Sequence, residues 1–118
     1  MWFAFLIVFV GGIVVAWVGW RGLTGKLPRQ HVAGIRTPYT LSSDERWRAV
    51  HRHGGPYLVL GGAAAAAAAA ALLPFAVAGR LPLAFSVAAL IAMAAVTSAS
   101  AIAGWLLGVA AARRELGD

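Results

Sequence analysis

Residues 34–55 read GIRTPYTLSSDERWRAVHRHGG, and long apolar runs lie on either side of them. The stretch carries Arg36, Asp44, Glu45, Arg46, Arg48 and Arg52, together with His51 and His53. Working outward, residues 2–20, 57–78 and 83–108 contain no charged side chain at all. As a helix the first run would measure roughly 28 Å at about 1.5 Å per residue, close to the ~30 Å hydrocarbon core of a bilayer. The polar stretch therefore divides an all-α membrane protein with three transmembrane helices. The motif loop, 21–56, joins spans one and two, and 1–118 reads as a single domain.

Composition supports this division. The chain has 118 residues, 61% hydrophobic and 12% charged, whereas soluble domains run at about 25% charged. Its apolar residues come in blocks instead of amphipathic stripes. There is no cysteine, which excludes disulfides, thiol nucleophiles and thiolate metal sites. The formal charge is +6. On a soluble chain that would suggest nucleic acid, but in a membrane protein the retention of Lys and Arg in cytoplasmic loops explains it, and no nucleic-acid partner is expected.

The first run competes with a signal peptide. Nothing basic precedes it, however, and Arg21, Lys26 and Arg29 follow it, the reverse of a signal peptide's charge order. The second run contains nine consecutive alanines, Ala63 to Ala71, excellent for helix but weak for insertion. Pro74 is expected to kink it. Only residues 79–82 separate spans two and three, so these two should form an antiparallel hairpin, with Pro82 at a first helical position.

Orientation follows from basic residues. The 21–56 loop holds Arg21, Lys26, Arg29, Arg36, Arg46, Arg48 and Arg52, the tail holds Arg113 and Arg114, and the hairpin turn holds Arg80 alone. The positive-inside rule then places the loop and C-terminus in the cytoplasm and the N-terminus outside a plasma membrane. Trp20, Tyr57 and Trp105 fall near the inner interface and Trp2 near the outer one. Ser100, Gly104, Gly108 and Ala112 recur every four residues, a ridge of small residues that permits close helix packing, within the chain or in a homo-oligomer.

Within the loop, Pro38 forces residues 34–37 toward extended geometry. Ser42 followed by Glu45 reads as a capping box, opening a short amphipathic helix over about 43–53 that stops at Gly54-Gly55-Pro56. Trp47, Val50, His51 and Gly54 share one face of it. That face suits the cytoplasmic membrane surface, with arginines on anionic headgroups. It equally suits a roof over the spans, or a surface for a partner or ligand.

Catalysis finds little support. His51 and His53 are two residues apart and diverge on a helix, and the paired histidines of a metalloprotease are missing. Nothing marks an oxyanion hole beside Ser42 or Ser43, and no Gly-rich phosphate loop precedes a helix. Asp44 and Glu45 are explained by capping. No ionisable group lies inside a span, which argues against a proton or ion pathway. No enzymatic activity, metal or cofactor is expected.

The stretch Gly34-Ile35-Arg36-Thr37-Pro38-Tyr39-Thr40-Leu41-Ser42, followed by Glu45, Trp47, His51-Arg52 and Gly54-Gly55, resembles the signature of the SdpI family of bacterial membrane proteins, here in a minimal three-span form. Tyr39 stands where that family often has tryptophan. The resemblance implies immunity to a secreted peptide toxin combined with signal transduction to a cytoplasmic repressor. Gly34, Arg36, Thr37, Tyr39, Thr40, Leu41, Glu45, Trp47, His51 and Arg52 are the motif residues expected to serve partner binding. Ser100, Gly104 and Gly108 are the expected helix-packing residues. The rival expectation is a small structural or assembly subunit without ligand binding.

Overall fold

The computed structural model describes residues 1–117. Four helices follow in order: α1 (Trp2–Leu23), α2 (Pro38–Leu41), α3 (Asp44–Val77) and α4 (Leu83–Leu116). α1, α3 and α4 are each long and apolar enough to cross a membrane. α3 is the central element: α1 and α4 both pack along it and touch one another only lightly. The molecule measures 53 × 21 × 19 Å. At about 1.5 Å per residue, α3 alone covers roughly 50 Å.

The structure differs from the sequence expectation in how α3 begins. The helix expected over 43–53 exists, but it does not stop at Gly54-Gly55-Pro56. It runs unbroken into the second span, with Pro56 and Pro74 both inside. The reason is packing. Gly54 and Gly55 point to different neighbours: a Cβ on Gly54 would strike the Gly104 carbonyl oxygen of α4, and one on Gly55 would come within 2.7 Å of the Gly19 carbonyl oxygen of α1. The glycine pair lets two helices approach one helix, which in a membrane-type bundle outweighs its tendency to end a helix.

Capping also differs. Ser43, not Ser42, is the N-cap of α3, its side chain accepting from the Arg46 N–H at 3.1 Å. Ser42 closes α2 and donates its hydroxyl to the Tyr39 carbonyl. The capping box belongs to α2 instead, formed by Thr37 and Thr40, with Pro38 at the first helical position. Pro82 sits one place earlier than expected, as the N-cap of α4. The turn between α3 and α4 closes with Gly79 at φ +71°. The Arg80 N–H reaches the Phe75 carbonyl at 2.9 Å and the Gly79 N–H reaches Ala76 at 3.1 Å, the paired bonds of a Schellman motif.

The ridge on α4 faces α3. Ser100 lies against Gly61, and Gly104 against Gly54. Gly108 sits so close to α3 that a Cβ there would come within 2.8 Å of the Val50 carbonyl oxygen. The ridge is thus spent inside the chain. At the other end, Phe5 is fully buried with Ala65, Ala69 and Met93; the alanine run leaves room for that ring. Ile7, Leu60 and Ile91 are more than 60% exposed. So much outward apolar surface is what a lipid-facing wall requires.

Candidate functional site: the motif cap

Residues 24–43, with the first turns of α3 and the last turns of α4, build a polar cap on one end of the bundle. α1 ends in a second Schellman turn, with Gly25 at φ +76° and the Lys26 N–H bonded to the Arg21 carbonyl at 2.8 Å. Gln30 then braces the loop: its amide nitrogen donates to the Ala33 carbonyl at 2.7 Å and its oxygen accepts from the Val32 and Ala33 N–H groups.

Two side chains of α3 pin this loop down. Trp47 is 1% exposed and donates its indole N–H to the Leu27 carbonyl at 2.8 Å. Its ring lies 4.2 Å from that of His51, centroid to centroid. His51 is equally buried. The Ile35 N–H donates to its Nε2 at 2.8 Å, so that nitrogen carries no proton. The hydrogen is therefore on Nδ1, which donates to the Trp47 carbonyl at 2.8 Å. His51 lies in the polar turns ahead of the uncharged run. Burial pushes its pKa below the ordinary value, and the bond to the Trp47 carbonyl opposes that shift. Gly34 has φ +105°, and a Cβ there would stand 2.7 Å from His51 Nε2. Glycine is required on both counts.

α2 is held differently. Thr40 is fully buried, donating its hydroxyl to the Thr37 carbonyl at 3.0 Å while its N–H donates to the Thr37 hydroxyl at 3.1 Å. The Tyr39 ring is 8% exposed and sits between two guanidinium groups, Arg46 on α3 and Arg113 on α4, each 4.7 Å from its centroid. Its hydroxyl donates to the Gly117 carbonyl at 3.1 Å. Leu41 packs beside Val18, Leu27 and Trp47. Arg29 pairs with Asp44 at 3.1 Å and also donates to the Leu41 carbonyl.

Across the cap, Glu115 of α4 receives Arg52 on both carboxylate oxygens and His53 at 2.8 Å. The hydrogen bond from His53, then that from Arg52, hold its carboxyl below the ordinary range. Arg36 and Glu45 are exposed; Arg36 donates from Nη1 to the His31 carbonyl. Beside Arg36 opens an apolar cleft of about 530 Å³ between α1 and α4. Among the described residues no cluster of three metal-ligating side chains occurs, and no buried side-chain polar atom lacks a partner.

A family model described as the SdpI/YfhL protein family matches residues 26–112. The chain belongs to the SdpI/YfhL family. With its three apolar helices it is a multi-pass membrane protein of that family. No curated protein and no solved structure matches it. The match takes in the whole SdpI/YfhL cap loop from Lys26 onward, α2, α3 and most of α4, and leaves out α1.

Within this SdpI/YfhL cap the sequence motif separates into two sets. Gly34, Thr37, Tyr39, Thr40, Leu41, Trp47 and His51 are turned to one another or to the helices, while Arg36, Glu45 and Arg52 are at the surface. Sequence reading missed Gln30, Arg113 and Glu115. The last two lie more than sixty residues from their partners, and no local spacing connects them.

Proposed function

We propose that this chain is an immunity or signal-transducing protein of the bacterial plasma membrane, with its N-terminus outside and its motif cap and C-terminus in the cytoplasm. The observation that carries the reading is the division of the motif. One set of residues holds the loop rigidly against α3, through Trp47, His51 and Gly34. The other set leaves Arg36 and Glu45 exposed on that rigid frame. A frame of this kind presents charged side chains at fixed positions, which favours recognition of a partner such as a peptide toxin or a cytoplasmic repressor. No catalytic chemistry is needed: His51 uses both ring nitrogens in holding the loop.

The test is protection of a sensitive strain against membrane-active peptides. Arg36→Ala is expected to abolish protection at unchanged membrane level. Trp47→Ala is expected to lower the level itself, because emptying a buried tryptophan site costs about 3–5 kcal/mol. Full protection by Arg36→Ala would overturn the assignment of the exposed set as the contact surface.

A further inference from the structure

α1 and α4 lean on α3 without closing on one another, and the cleft between them is lined by Val15 and Val18 on one wall and Ala101 and Trp105 on the other, with Leu58 as its floor. The motif loop, residues 33–37, roofs one end. A second hollow of about 320 Å³ shares Val15 and Thr97 with the first and extends it to Val8 and Met93. From Val8 to Val18 the combined groove follows α1 for about 15 Å, half of a ~30 Å hydrocarbon core. Its one hydroxyl shared by both hollows, that of Thr97, is already bonded to the Met93 carbonyl at 2.9 Å. Ser98 also borders the second hollow, but the rest of the lining between the helices is apolar and is matched by hydrocarbon.

The loop end of the groove is different. Arg36 lines it there, exposed, with Nη1 donating to the His31 carbonyl. A guanidinium has five N–H donors in a planar fork, so several remain for an oxyanion, and phosphate fits that fork in bidentate fashion. An apolar channel as long as one bilayer leaflet, ending at a guanidinium, is complementary to one molecule: a chain of hydrocarbon with a negative head.

We propose that this cleft is a binding site for an anionic phospholipid of the adjacent leaflet, one acyl chain lying between α1 and α4 and the phosphate held by Arg36. The site builds on the reading of the motif loop as the element that meets a ligand, and it gives that loop a lipid to sense.

The experiment uses the full chain, purified in mild detergent, exchanged into an equimolar mixture of phosphatidylglycerol and phosphatidylcholine, and examined by native mass spectrometry. The expected result is one retained phosphatidylglycerol per chain, favoured about tenfold over phosphatidylcholine. Arg36→Gln should bring the two lipids to equal retention, and Ala101→Trp, which fills the groove, should reduce retention of both. If circular dichroism shows that Ala101→Trp does not fold, Ala101→Leu provides the same comparison. Equal retention of both lipids by the unaltered chain, or an undiminished preference in Arg36→Gln, overturns the site. So does cross-linking through Ala101→Cys that finds a second copy or an added peptide seated in the groove. The two readings fail separately. Protection that persists in Arg36→Gln after its lipid preference is gone removes the contact role of Arg36 and leaves the lipid site standing. Lost protection with preference intact does the reverse.

Discussion

His51 shows how one side chain sets the cap. Its neutral form is the only one that can accept from the Ile35 N–H while donating to the Trp47 carbonyl. Because its folded pKa lies below the ordinary value, an unfolded chain takes up a proton before the folded one does. Stability contributed by this residue is then complete above about pH 6.5 and declines as acidification passes below that. Thermal unfolding in detergent should therefore show a lower Tm at pH 5.5 than at pH 7.5. His51→Ala should shrink that difference and cost about 1–3 kcal/mol at neutral pH, since a buried N–H loses its acceptor. An unchanged acid shift in His51→Ala would place the sensitive group elsewhere. That His51 would share a face with Trp47 and Val50 was readable from their spacing. That it would bind the backbone of Ile35, sixteen residues earlier, was not, because no periodicity encodes contact across a loop.

At the scale of elements, glycine decides where helices meet. The three apolar runs and their hairpin were legible from hydrophobic blocks alone, since uncharged length is what a bilayer demands. The junction at Gly54-Gly55-Pro56 was not legible. A Gly-Gly-Pro run ends helices in soluble proteins, whereas here its two glycines admit neighbours, and the positions of Gly19 and Gly104 distinguish the two. α1 offers a sharp check. A Cβ on Gly11 meets nothing within 4 Å, whereas one on Gly12 would lie 2.6 Å from the Gly62 carbonyl oxygen. Gly11→Ala should raise stability by up to about 1 kcal/mol through helix propensity. Gly12→Ala should lower it and loosen α1 from α3. The two Tm shifts, measured side by side, are expected to have opposite signs; shifts of the same sign would contradict the packing described for this face.

For the molecule as a whole, the proposed orientation rests on nine basic residues at one end against Arg80 at the other. The chain contains no cysteine, so single replacements give clean labelling. In intact cells, a membrane-impermeant maleimide should modify Arg80→Cys and leave Arg48→Cys untouched until the membrane is opened. The opposite pattern would invert the molecule. The sequence signature located the cap without revealing how α4 closes it, because the contacts of Tyr39 with Arg113 and of Arg52 with Glu115 join distant parts of the chain. α3 carries the Trp47–His51 anchor near one tip and continues as one helix into the second span, so cap and span share a single rod. A tilt of only about 5° along its roughly 50 Å would displace the far tip by about 4 Å. A lean of this rod inside the bilayer therefore also moves the charged face that its other end carries.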